Sequence, residues 1–97
     1  MIDLRPEHMK IVQTILGSTV PRHDVWAFGS RVSGSAREFS DLDLAIVADR
    51  PLDFELLGRI RDAFSLSDLP FKVDVVDWAG TSPNFRDAIR AQREILR

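Results

Sequence analysis

Ninety-seven residues carrying a net charge of −2, with 44% hydrophobic and 29% charged side chains, fit one small globular domain spanning 1–97. The slight acidity argues against a broad basic face that grips nucleic acid, so nucleic acid is not the expected direct substrate. The absence of cysteine excludes disulfides and thiolate metal sites. His8 and His23 lie too far apart for a conventional zinc site, so any metal is expected to be a hard cation held by carboxylates. No apolar stretch approaches the roughly 20 residues of a membrane span, and Met1-Ile2-Asp3 does not open a signal peptide. The expected location is the cytoplasm. A domain of this size buries only about two-thirds of the surface its unfolded chain exposes, which leaves a partner or self-association plausible.

Pro6 and Glu7 suit a helix start, and Met9, Val12, Ile15 and Leu16 recur at helical spacing until Gly17-Ser18. Val25-Trp26-Ala27-Phe28 is a short apolar run that reads as a buried strand entering a loop at Gly29-Ser30. Residues 31–40 are too irregular for a long element. Leu42 to Val47 reads as a second strand, ended by Asp49-Arg50-Pro51. Asp53 is placed to cap a helix that buries Leu56, Leu57, Ile60 and Phe64. Phe71 to Trp78 reads as a third strand. Ser82-Pro83 then opens a last helix expected to bury Phe85, Ala88, Ile89, Ile95 and Leu96. Helices interleaved with buried strands give an α/β fold, a small mixed sheet with packed helices.

The chemistry concentrates in Gly29-Ser30, ten further residues, Asp41-Leu42-Asp43, and the later Val73-Asp74-Val75-Val76. Period two puts Asp41 and Asp43 on one face of a strand, with Cα atoms about 7 Å apart. If the strand bearing Asp74 is the neighbour, about 4.8 Å away, a third carboxylate joins them. At ~7 Å and an effective dielectric near 20, each such pair repels by roughly 2 kcal/mol. A fold keeps that arrangement when cations sit among the groups. Two Mg²⁺ ions about 3.5–4 Å apart are the usual occupants in phosphoryl or nucleotidyl transfer. Gly29 lets the backbone approach a phosphate, and Ser30 offers an N–H and a hydroxyl. A helical turn starting after Ser30 would add free N–H groups, and Arg31 and Arg37 are candidates for the β- and γ-phosphates. Of the two acids on the third strand, Asp74 is the better third ligand, because Asp77 lies an odd number of residues away and faces the other side.

The segment from Phe28 to Val47, FGSRVSGSAREFSDLDLAIV, closely resembles the signature of the DNA polymerase β-like nucleotidyltransferase superfamily, above all its minimal stand-alone (MNT) branch. The run Val73 to Trp78 and the closing helix look similar to that branch too. The resemblance implies a polymerase-β-like nucleotidyltransferase fold. It implies Mg²⁺ binding by Asp41 and Asp43, with Asp74 as third carboxylate helping to deprotonate or orient the acceptor hydroxyl. Gly29 and Ser30 would bind the triphosphate, with ATP as donor. Family members of this size are often paired as antitoxin with a helical HEPN toxin, and some resemble protein adenylyltransferases that place AMP on it.

Alternatives stay open at this point. An antitoxin acting by binding alone, an enzyme for a small molecule such as an aminoglycoside, and an RNA-tailing enzyme all fit the motif. Outside the motif, Trp78 reads as core more readily than as a base-stacking platform, and Trp26 reads as core. At 100° per residue, Arg86, Arg90, Arg93 and Arg97 would fall within about 60° of one another on the last helix. That stripe reads as a solvated face or as a docking strip for an acidic or RNA-bound partner.

Overall fold

The computed structural model describes residues 2–97, so the Met1 of the N-terminal reading lies outside it. Helix α1 (Pro6–Thr19) starts with proline in its first turn, where a missing N–H costs nothing, and buries Val12 and Leu16. Strand β1 (Asp24–Phe28) alternates buried Val25 and Ala27 with half-buried Trp26 and Phe28. Gly29 turns the chain into the single helical turn α2 (Ser30–Ser33). After the loop 34–41 come β2 (Leu42–Val47), α3 (Phe54–Ser65) and β3 (Val73–Asp77). A 3₁₀ turn at Trp78–Gly80, helix α4 (Pro83–Ala91) and the two-residue strand β4 (Glu94–Ile95) complete the chain.

The four strands form one mixed sheet in the order β3-β2-β1-β4. Strands β2 and β3 run parallel, while β1 is antiparallel to both β2 and β4. Alternation divides the side chains between two faces. One face carries Val25, Ala27, Leu42, Leu44, Ile46 and Val75, which meet Val12, Leu16, Ile60 and Phe64 of α1 and α3 in the main core. The other face carries Trp26, Phe28, Ala45 and Val47, covered at one end by Trp78 and by Ile89 of α4. The carboxylates of the sequence motif belong to this second, thinly covered face.

Three local expectations are corrected. Asp53 occupies the N-cap of α3, but its side chain accepts no capping bond; only its carbonyl takes the Leu57 N–H, at 3.0 Å. Ser82, by contrast, caps α4 through its hydroxyl, which accepts from the Phe85 N–H at 3.2 Å. Helix α4 stops at Ala91, and of its five expected core residues only Ile89 is buried. Ile95 pairs across to Trp26 instead, and Leu96 donates its N–H to Val25 O at 2.8 Å. The open edge of β1 competes for this segment, and pairing there satisfies backbone groups that a longer exposed helix would leave β1 without. The arginine stripe dissolves for the same reason, because Arg93 and Arg97 lie beyond the helix. Arg86 and Arg90 stack over Trp78, Arg93 stacks over Trp26, and Arg97 donates to Pro21 O.

The third correction concerns Arg31, expected at the phosphates. Its side chain is buried, and its guanidinium donates to three carbonyls: Ser40 O at 3.0 Å, Asp3 O at 2.9 Å and Glu38 O at 3.1 Å. It also lies 4.1 Å above the ring of Phe71. The planar fork of donors suits this role, which ties the N-terminal segment and the far end of the 34–41 loop to α2. Arg31 thereby holds the spacing between Gly29-Ser30 and Asp41. Replacing Arg31 with Ala should lower stability by about 2–4 kcal/mol in denaturant titrations, since a buried side chain is lost and three carbonyls lose a charged donor.

Candidate active site

The site forms where β1 ends and β2 begins. Register pairs Phe28 with Asp43 across the antiparallel ladder, so the residue after Phe28 meets the Asp43 side chain. That residue is Gly29, with φ +79°, a conformation that L side chains rarely adopt. A Cβ there would overlap the Asp43 carboxylate outright and lie 3.2 Å from its Cγ. Glycine is therefore required twice, once by the backbone and once by the carboxylate packed against it. The carbonyl of Gly29 accepts from Val32 and Ser33, closing the α2 turn, and the first amides of that turn have no helical acceptor of their own. A serine hydroxyl, amides without helical acceptors and a close backbone approach thus sit beside a carboxylate.

On the other side of β2, the parallel ladder pairs Asp43 with Asp74 and Ala45 with Val76. Side chains opposite one another in register project to the same face, so Asp74 joins Asp43 as the alternation predicts. Asp41 precedes the first residue of β2 and is exposed, near enough for its charge to act on Asp43. Burial first, then the charges of Asp74 and Asp41, push the Asp43 carboxyl above its ordinary value of 3.8. Asp77 points away, and its Oδ2 accepts the Leu52 N–H at 3.0 Å, closing the turn after β2. That is the strand-end role the odd spacing assigns to it.

Lys72 is the one site residue the sequence reading passed over. Its Nζ lies 3.3 Å from Asp74 Oδ1. The signal was available, because Lys72 stands two residues before Asp74 and period two puts both on one face. Arg37 is exposed on the loop, with its backbone N–H held by Ser40 Oγ at 2.8 Å. Its side chain lines a groove of about 570 Å³ with Arg5, His8 and Phe39, a groove that none of Gly29, Ser30, Asp41 and Asp43 lines. Trp78 is buried and meets Trp26 edge-on at 4.9 Å, which makes it core rather than a platform for a base.

A hard divalent cation suits this donor set. The donors are carboxylate oxygens, their mutual repulsion already raises the Asp43 proton affinity, and a lysine ammonium is drawn to Asp74. Among the described residues no three acidic or histidine side chains are gathered closely enough to hold a metal as they stand. The Lys72 ammonium beside Asp74 competes with a cation for that carboxylate.

Comparison with known proteins identifies the family. Residues 10–97 match the family described as polymerase beta, nucleotidyltransferase. The chain is 55% identical over 89 residues to the probable protein adenylyltransferase MntA of Haemophilus influenzae, covering 92% of this chain and 78% of that protein. Its fold superposes on a toxin–antitoxin complex with AMP-PNP at a TM-score of 0.76, with 24% identity, 92% of this chain and 72% of the other covered. A complex of a tri-AMPylated HEPN toxin of Shewanella oneidensis with its MNT antitoxin superposes at 0.60, with 22% identity and coverage of 92% and 68%. Among the described residues no helix is long and apolar enough to cross a membrane. With a family match over nearly its whole length, the chain belongs to the polymerase-β nucleotidyltransferase family.

Proposed function

We propose that this nucleotidyltransferase is a Mg²⁺-dependent protein adenylyltransferase that moves AMP from ATP onto a hydroxyl of a HEPN-family toxin in the cytoplasm, acting as its antitoxin. The observation that carries the reading is the register that sets Asp43 between the Gly29 backbone on one side and Asp74 on the other. The 55% identity to a probable protein adenylyltransferase supports the protein acceptor. So does the fold shared with antitoxins solved beside their toxins.

In this reading Asp41 and Asp43 hold the metal and Asp74 completes the set. Mg²⁺ bound there would neutralise charge on the triphosphate and lower the barrier to attack at the α-phosphate. Gly29 and Ser30 bind the β- and γ-phosphates through backbone N–H groups and the serine hydroxyl. Arg37 is the remaining arginine of the loop, since Arg31 is committed to carbonyls, and it serves the phosphates only by swinging out of the separate groove it lines. Asp74 orients the acceptor hydroxyl and takes its proton as the oxygen attacks the α-phosphorus. A new P–O bond forms in line as the α–β bridging bond breaks, and pyrophosphate departs on the Gly29–Ser30 side.

Two results follow. The folded-state proton affinity of Asp43 is raised, so its contribution to stability is present below the ordinary value of 3.8 and is lost as pH rises through the higher folded value. In metal-free buffer at pH 7, Asp43→Asn should therefore melt at or above the wild-type temperature, with the gap closing in acid. Mg²⁺-ATP should raise the melting temperature of the wild type alone. The function itself is tested by the intact mass of the HEPN-family partner co-expressed with this chain. Additions of AMP mass with the wild type and none with Asp43→Asn are expected. A partner bound equally by both and unmodified in each would replace the enzyme with an antitoxin that acts by binding alone.

A further inference from the structure

Strand β3 is a five-residue sheet edge, whereas the opposite edge is the two-residue β4. Leu42 donates its N–H to Lys72 O at 2.9 Å, so the backbone of Lys72 faces β2. Alternation then turns the N–H and C=O of Val73 and Val75 away from the sheet. The Val75 carbonyl does point outward, because it accepts from Arg61 Nη2 of α3 at 3.0 Å. An exposed arginine on an outward carbonyl shields an edge against casual pairing, and a rotation of that side chain removes it. Along this edge runs a groove of about 700 Å³ between α3 and β3, floored by Phe64 and Phe71 and flanked by Arg61 and Lys72. Asp74 lines the same groove.

We propose that the acceptor binds here as an added strand: an extended, hydroxyl-bearing segment of the partner protein pairs with the outer edge of β3. The inference rests on the adenylyltransferase reading and specifies how its acceptor is presented. In-line displacement needs the attacking oxygen opposite the departing pyrophosphate. The Gly29–Ser30 turn lies at the end of β1, Asp43 on β2 and Asp74 on β3, so the side opposite the turn is the one beyond β3. A residue laid opposite Asp74 on an antiparallel added strand falls at a non-hydrogen-bonded position, with Cα atoms about 4.5 Å apart and both side chains on the carboxylate face. The edge hydrogen bonds give affinity without demanding a sequence.

The test uses the full chain and the HEPN-family partner that wild type modifies, followed by amide hydrogen exchange and by rates of AMP addition. In the complex, the Val73 and Val75 amides should become protected, while those of Asp74 and Val76, which face β2, change little. Val73→Pro removes one outward N–H at the first residue of an edge strand, where proline leaves the β2 ladder intact. It should slow AMP addition about tenfold or more, the equivalent of about 1.4 kcal/mol, with stabilisation by Mg²⁺-ATP unchanged. Modification at the wild-type rate by Val73→Pro, or unchanged exchange at Val73 and Val75 in a complex that is being modified, would overturn the docking mode and leave the activity standing. Protection that appears without partner and grows with chain concentration would assign the edge to self-association and overturn it too. A partner that wild type never modifies would remove the activity, and this proposal with it.

Discussion

The arrangement depends on how closely the Gly29 backbone and the Asp43 carboxylate approach one another. No Cβ fits between them, and the backbone at Gly29 lies where L residues are strained. The β1–β2 register creates the contact by pairing Phe28 with Asp43. From it follow the sharp turn into α2, with first amides that have no helical acceptor, and the burial that raises the proton affinity of Asp43. A metal-bound triphosphate needs carboxylate and amide donors within a few ångströms of each other, and this contact supplies both from two neighbouring residues in space.

The sheet divides its labour between faces. One is sealed by α1 and α3 and holds the larger core, including Leu16, Leu44, Ile46 and Ile60. The other is covered only partly, by Trp78 and by α4, and leaves the carboxylates open. The two tryptophans meet edge-on, and Arg86, Arg90 and Arg93 lie over them. Cations over the indole faces cover the tryptophans on the side of this face that the helix leaves open. Stability concentrates on one side and chemistry on the other.

Much of this was legible in the residues. Period two in Leu42 to Val47 gave the strand, its buried face and the common side of Asp41 and Asp43; odd spacing separated Asp77 from Asp74. The Gly29-Ser30 spacing to Asp41 pointed to the turn. What failed was decided by long-range contacts. Ile95 and Leu96 fit a helical period as well as a strand, and only the open edge of β1 settles the matter. Arg31 sits beside the Gly29-Ser30 turn in sequence, yet its guanidinium reaches three carbonyls that lie seven, nine and twenty-eight residues away. Asp53 is the exception, a cap residue of α3 whose side chain makes no capping bond. The edge character of β3 was invisible until strand order was known.

The most direct check on the central claim is the anomalous scattering of Mn²⁺ in crystals of this protein soaked with MnCl₂ and AMP-PNP. The account predicts density bridged by Asp41 and Asp43, with Asp74 rotated off Lys72 to face it and the triphosphate on the Gly29–Ser30 amides. Manganese bound elsewhere, or a nucleotide seated away from that turn, would contradict it.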